Sequence, residues 1–211
     1  MKILKYIFLL LLLSFVSFSV FIATQKGHFA IEKSKIIHTS KSNLYNYVND
    51  YQNWGDFMAF MVEDTTIKIR FSKTTIGKGA KSTWEGTEGN GIVQTFSVKE
   101  NDSITQKMDL DGSKFNTTWI FKDTLGGTKV TLKSKGEMSF SYKIYTVLHG
   151  GATRIIGNVF EKSLANLDKS LDYEINTYSI KEDGIVKKLE TPYLKQSFTS
   201  KISSIVKNIR I

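Results

Sequence analysis

The chain has 211 residues, 41% of them hydrophobic and 23% charged, which suits one domain with a substantial core and a small appendage but hardly a second complete domain. It contains no cysteine, so disulfides, thiolate metal sites, iron–sulfur clusters and a cysteine nucleophile are excluded. The formal charge of +9 is almost wholly lysine, with arginine only at Arg70, Arg154 and Arg210; base readout and bidentate phosphate clamping favour arginine, so no nucleic-acid partner is expected.

Lys2 and Lys5 precede an uncharged run from Tyr6 to Gln25, which as a helix is about 30 Å long and can cross a bilayer. A cleaved signal peptide is the rival reading. The small residues its cleavage site needs are missing, Phe21 standing two before Ala23, and the apolar run exceeds a typical signal-peptide core, so residues 1–27 read as an uncleaved transmembrane anchor. Lys26, Lys33, Lys35 and Lys41 follow the span closely, so the positive-inside rule leaves orientation open; the export-like pattern favours a domain on the non-cytoplasmic side.

From Phe29 to Thr39 the chain is extended. Ser40 supplies an N-cap for a helix over 41–50, whose Leu44, Tyr47 and Val48 share one face. The segment NLYNYVNDYQNWGDF then places Tyr51, Trp54, Phe57, Met58 and Phe60 on a second short turn or helix, an aromatic cluster just before the strands begin.

Six period-two segments follow, joined by GTEGNG, KENDS, LDGSK and DTLGG. Ile67, Ile69 and Phe71 lead; Ser82, Trp84 and Gly86 come next; then Ile92, Gln94, Phe96 and Val98; then Ile104, Gln106, Met108 and Leu110; then Phe115, Thr117, Trp119 and Phe121; and last Val130, Leu132, Ser134 and Met138. This is an antiparallel meander with one wet and one covered face. Between Gly150 and Tyr178, Ile156, Phe160, Leu164, Leu167, Leu171 and Ile175 recur at helical spacing, so a long amphipathic helix covers that face. The fold class is α+β, a curved antiparallel sheet gripping a C-terminal helix.

That order, with VNDYQNWGDF, GKGAKSTWEG, TTWIFKDTLGGTKVTLKSKG and FEKSLANLDKSLDYEI, resembles the START-like helix-grip superfamily, also called SRPBCC, in its polyketide cyclase/dehydrase and lipid-transport branch. The resemblance covers roughly residues 28–178 and is strongest to membrane-anchored members from Bacteroidetes. It is specific for fold and weak for activity, because the superfamily includes lipid carriers, receptors, cyclases and oxygenase subunits. In those members a gyrase-inhibitor-like effector-binding domain often follows. The tail TPYLKQSFTSKISSIVKNIRI, after the lone Pro192, resembles the first strand and part of the first helix of such a domain, which divides the chain into 1–27, 28–180 and 181–211. In that tail Lys181, Lys187, Lys188, Lys195, Lys201, Lys207 and Arg210 outweigh Glu182, Asp183 and Glu190, a solvated surface or a site for an anionic lipid headgroup.

The chemistry-bearing residues are sparse. GKGAKST has Thr75 and Ala80 where a phosphate loop needs glycine, and a strand follows where a helix is required. His28, His38 and His149 have no metal-ligand spacing, and no metal or cofactor is expected. Glu85, Glu88, Asp109 and Asp111 fall on the wet face or in turns.

More informative are Trp54, Phe57, Trp84, Phe96, Trp119 and Phe121. They read either as plain core packing or, leaving Phe121 aside and joined by Ser82, Gln94, Gln106, Met108, Thr117 and Phe160, as the wall of a cavity between sheet and helix for a small hydrophobic or lipid-like ligand. Polar Ser82, Gln94, Gln106, Thr117 and Ser134 on the covered face favour the cavity, since buried amides and hydroxyls need partners. Trp54 and Phe57 then close its mouth. The expected function is non-catalytic binding; a cyclase- or hydrolase-like enzyme, or an interaction module with a filled cavity, are the alternatives. An open apolar cavity of roughly several hundred cubic ångströms separates the first from the last.

Overall fold

The computed structural model describes residues 2–87 and 89–177, with side chains to residue 172. The tail over 181–211, Glu88 and the side chain of Ile175 lie outside them. In chain order come α1 (Lys2–Thr24), β1 (His28–Ile37), α2 (Lys41–Asn49), a 3-10 turn (Tyr51–Asn53), α3 (Trp54–Phe57), α4 (Ala59–Glu63), β2 (Lys68–Phe71), β3 (Lys81–Gly86), β4 (Gly89–Lys99), β5 (Ser103–Leu110), β6 (Ser113–Thr124), β7 (Gly127–Glu137), α5 (Phe140–Leu148) and α6 (Ala152–Thr177). Seven antiparallel strands form one sheet in the order β1-β7-β6-β5-β4-β3-β2. The meander from β2 to β7 is thus extended by β1 on the far edge, because the chain detours through α2, α3 and α4 between β1 and β2.

Local chemistry sets the joints. The Ser40 hydroxyl accepts the Asn43 N–H at 3.2 Å and starts α2, whose Leu44, Tyr47 and Val48 are all buried. Asp111 and Gly112, at φ 45° and 81°, turn β5 into β6 with the double positive φ that a tight hairpin needs. α6 lays Ile156, Phe160, Leu164, Leu167 and Leu171 into the concave face. Two lysines on the helix side of β1 tie it to the sheet edge: Lys33 reaches Glu161, and Lys35 reaches Asp168 at 3.1 Å.

Two features depart from the alternation. Across β4, Val93 and Thr95 are buried while Gln94 is exposed and Phe96 is 54% exposed, the opposite of the expected phase. A bulge between Thr95 and Ser97 places Phe96 as the extra residue, and Val98 returns to the core beyond it. A single phase fitted through the bulge therefore inverts the first half of the strand. The second departure is α5, capped by the Ser139 hydroxyl on the Tyr142 N–H at 3.3 Å, in a stretch for which no helix was expected.

Gly91 faces Trp84 across β3 and β4, and a Cβ there would lie 2.1 Å from the indole. The bare backbone lets the ring lie flat on the neighbouring strand. Gly91→Ala is expected to lower stability by about 1–3 kcal/mol through overpacking, read as a lower denaturation midpoint at unchanged slope, whereas Gly79→Ala, where a Cβ meets nothing within 4 Å, suffers only from its positive φ of 90°.

Candidate functional site

The concave face carries a polar row across four strands, Thr95, Gln106, Thr117 and Ser134, in direct register. These groups satisfy one another within the core. The Gln106 amide donates to the Tyr51 hydroxyl at 3.2 Å and accepts the Trp119 indole N–H at 3.1 Å; the Tyr51 hydroxyl also meets Thr95 at 2.9 Å, and Thr117 meets Ser134 at 3.2 Å. Tyr51, reached by no expectation of a polar role, is the hub of this network. Burial raises its phenol to about 12. Ser82 is buried in β3, its hydroxyl without a hydrogen-bond partner.

Trp54 and Phe57 do not form a mouth. They are 1% and 0% exposed, and both stand edge-on to Trp119 with ring centres 6.4 and 6.0 Å away. The Trp54 indole N–H donates to the Val48 carbonyl at 2.9 Å, so α3 is drawn down onto the sheet rather than left at its rim.

Beside this plug, an apolar cavity of about 70 Å³ opens between sheet and α6. Trp54, Met108, Thr117, Trp119 and Phe160 of the expected set line it, joined by Met58 and Phe60 from the α3–α4 segment, Phe115 and Leu132 from the sheet, Tyr142 from α5, and Ile156 and Val159 from α6. Phe57, Ser82, Trp84, Gln94, Phe96 and Gln106 are not on its wall. Trp84 instead packs on Phe60 with ring centres 5.1 Å apart and lines a separate hollow of about 50 Å³. The exposed Phe96 ring carries the Lys107 ammonium 4.3 Å above its centre.

Phe60, Tyr142 and Val159 have two sides. They also line an outer cleft of about 480 Å³, completed by Glu63, Asp64, Thr65, Thr66, Thr87, Tyr145 and Ile155. Sequence reasoning missed this cleft because α5 was not foreseen. Burial raises the Tyr142 phenol to about 12, the only titratable group on the inner wall among the described residues. In the outer cleft, Asp64 accepts from the Thr66 hydroxyl and N–H at 2.6 and 2.9 Å and from the Thr87 N–H and hydroxyl at 2.8 Å each. The Thr66 hydroxyl first, then the Thr87 groups, hold its carboxyl far below the usual carboxylate range. Such a carboxylate is a clip between the β2 approach and the β3–β4 turn, not a proton donor at neutral pH.

The other candidates sit apart from the cavity. His28 faces Glu137 at 3.6 Å on the surface, His38 is exposed, and the His149 ring lies 2.8 Å from the Tyr145 carbonyl. Glu85 pairs with Arg70 at 2.8 Å, while Asp109 and Asp111 accept turn N–H groups from Gly112 and Asn90.

No family model matches the chain, and no curated protein matches it. Solved structures do. A Staphylococcus aureus protein of unknown function superposes with a TM-score of 0.55 at 11% identity, covering 71% of this chain and 97% of its own. The KanY protein gives 0.52 at 14% identity over 70% and 99%. DynU16, from the dynemicin biosynthetic locus, gives 0.50 at 9% identity over 69% of this chain and 48% of its own. The chain has the helix-grip fold. At these identities the likeness carries architecture alone.

Two measurements check the site. Gln106→Met leaves the buried Trp119 N–H without an acceptor and is expected to cost about 1–3 kcal/mol in urea unfolding; an unchanged midpoint would show that the network contributes nothing. Because the Asp64 pKa is depressed on folding, its contribution is present above the unfolded value of 3.8 and is lost as pH falls through the lower folded value. Asp64→Asn should therefore lower Tm at pH 7, with the gap to the native chain closing progressively once the pH drops below about 4.

Proposed function

We propose that the domain binds a small apolar or lipid-like molecule between the sheet and α6, without transforming it, while α1 holds the protein at a membrane. The observation that carries this reading is the pair of chambers sharing Phe60, Tyr142 and Val159. The inner chamber alone is smaller than the roughly 300–1,000 Å³ of ordinary ligand sites. Phe60, half-buried and shared by both walls, is the side chain whose displacement would join the chamber to the outer cleft in a space of that size. Met58 and Met108 on the inner wall are unbranched and adapt to varied ligand shapes.

Among the described residues the inner wall offers no carboxylate or imidazole, and its phenol stays protonated at neutral pH, which supports binding rather than acid–base catalysis. α1 is 23 residues long, about 35 Å as a helix, and among its side chains only Ile22 is buried. Its length and composition fit a membrane span and also an export signal. The reading as an anchor, with the domain on the non-cytoplasmic side, rests on the sequence arguments.

Trp54 and Trp119 make the test direct, because both line the inner chamber. Titrating the full chain in amphipol with bromonaphthalene is expected to quench their emission saturably. Phe60→Ala should tighten or speed uptake several-fold, and Val159→Phe should weaken it at least tenfold. Absence of saturable quenching in both the native chain and Phe60→Ala would favour the interaction module with a filled cavity.

A further inference from the structure

α5 has two opposite sides, one turned inward and one apolar and outward. Tyr142 and the buried Thr146, four residues apart, face the cavity and core. Phe140, Ile144, Val147 and Leu148, at the i, i+4, i+7 and i+8 positions, form the other side. Phe140 is 54% and Leu148 62% exposed, with Ile144 and Val147 half-buried between them. An outward apolar ridge of this kind on a nine-residue helix needs a partner.

The partner is indicated by where α1 ends. Ile22, in the last turn of α1, is fully buried, and the Lys143 ammonium of α5 donates to the Ala23 carbonyl at 3.4 Å. Lys143 is next to the outward ridge on the helical wheel, so the ridge and the emerging end of α1 lie side by side. The surroundings match the depth at which a bilayer meets water. Lys143 borders the ridge and Lys26 follows the end of α1 by two residues, and cations are favoured at that depth. α5 itself bears no acidic residue.

We propose that the outward face of α5 docks into the headgroup–acyl boundary of the same bilayer that α1 enters, making α5 an interfacial helix with the ligand cavity directly behind it. This rests on the reading of α1 as a membrane anchor. The arrangement exchanges the exposed Phe140 and Leu148 surface for lipid and sets α5, whose Tyr142 lines the cavity, between cavity and bilayer.

The chain's lack of cysteine permits single-cysteine labelling in the native background. Full-length protein in vesicles of phosphatidylcholine and phosphatidylglycerol would carry an environment-sensitive NBD label at Phe15→Cys, Phe140→Cys, Leu148→Cys or Leu125→Cys, the last on a fully exposed turn residue between β6 and β7. Labels at 15, 140 and 148 are expected to be blue-shifted and quenched by nitroxide lipids, with the two α5 labels shallower, and that at 125 to respond only to an aqueous quencher. If 15 reports lipid while 140 and 148 match 125, the docking inference is overturned and the anchor stands. If 15 reports water, the anchor reading falls and the inference falls with it. A second check is Leu148→Asp, which should leave thermal stability unchanged while making the label at 140 water-accessible.

Discussion

Burying the indole of Trp119 at the middle of the concave face fixes the elements laid upon it. The ring is flanked along the register by Ile104 and Leu132, covered by Trp54 and Phe57, and must find an acceptor for its N–H. Gln106, two residues along the neighbouring strand from Ile104, supplies it. The same amide then holds Tyr51, and Tyr51 holds Thr95, so one side-chain network ties the turn after α2 to three adjacent strands. Each unmet buried donor here would cost about 1–3 kcal/mol, and each edge-on aromatic pair adds about 0.5–1.5 kcal/mol beyond its area.

This knot also decides where a cavity is possible. With α3 pressed onto Trp119, the end of the groove near α2 is closed. α6 follows the same constraint: its Ser163 hydroxyl accepts the Ala59 N–H at 2.9 Å, and Asn166 and Ser170 donate to the carbonyls of Phe57 and Asp56. The inner cavity lies beside Met58 and Phe60, against Ile156, Val159 and Phe160 in the N-terminal half of α6. Tyr142 of α5 lines that cavity, and its neighbour Lys143 reaches the Ala23 carbonyl at the end of α1.

Most of the architecture was legible because it rests on periodicity. Leu44, Tyr47 and Val48 on α2 and the five apolar positions from Ile156 to Leu171 on α6 are buried where their spacing places them. The phase of β4 was not legible, because a bulge adds a residue without any local marker beyond the chain itself, and Gln94 and Phe96 were put on the wrong face. The helix α5 escaped because a nine-residue segment rich in aromatic and β-branched residues resembles a strand; its signal was the Ser139 cap. The polar row was read correctly as buried for Gln106, Thr117 and Ser134, but their partners were sought in a ligand when the sheet and Tyr51 provide them. That Trp54 is a floor and not a lip follows from its hydrogen bond to Val48, a contact no spacing rule conveys.

An unfilled apolar chamber has a cost, and its size bears on why it persists. At about 24 cal/mol per Å³, a cavity of about 70 Å³ forgoes on the order of 2 kcal/mol of packing. One larger side chain on its wall, such as a leucine in place of Val159, would recover part of that without disturbing the knot around Trp119. A fold only about 5–15 kcal/mol stable gains noticeably from such a change. Keeping Val159 small and Phe60 half-exposed is thus a sacrifice of stability confined to the place where the two chambers meet. A ligand that filled the chamber would return the missing contacts and, binding only the folded state, would stabilise the domain.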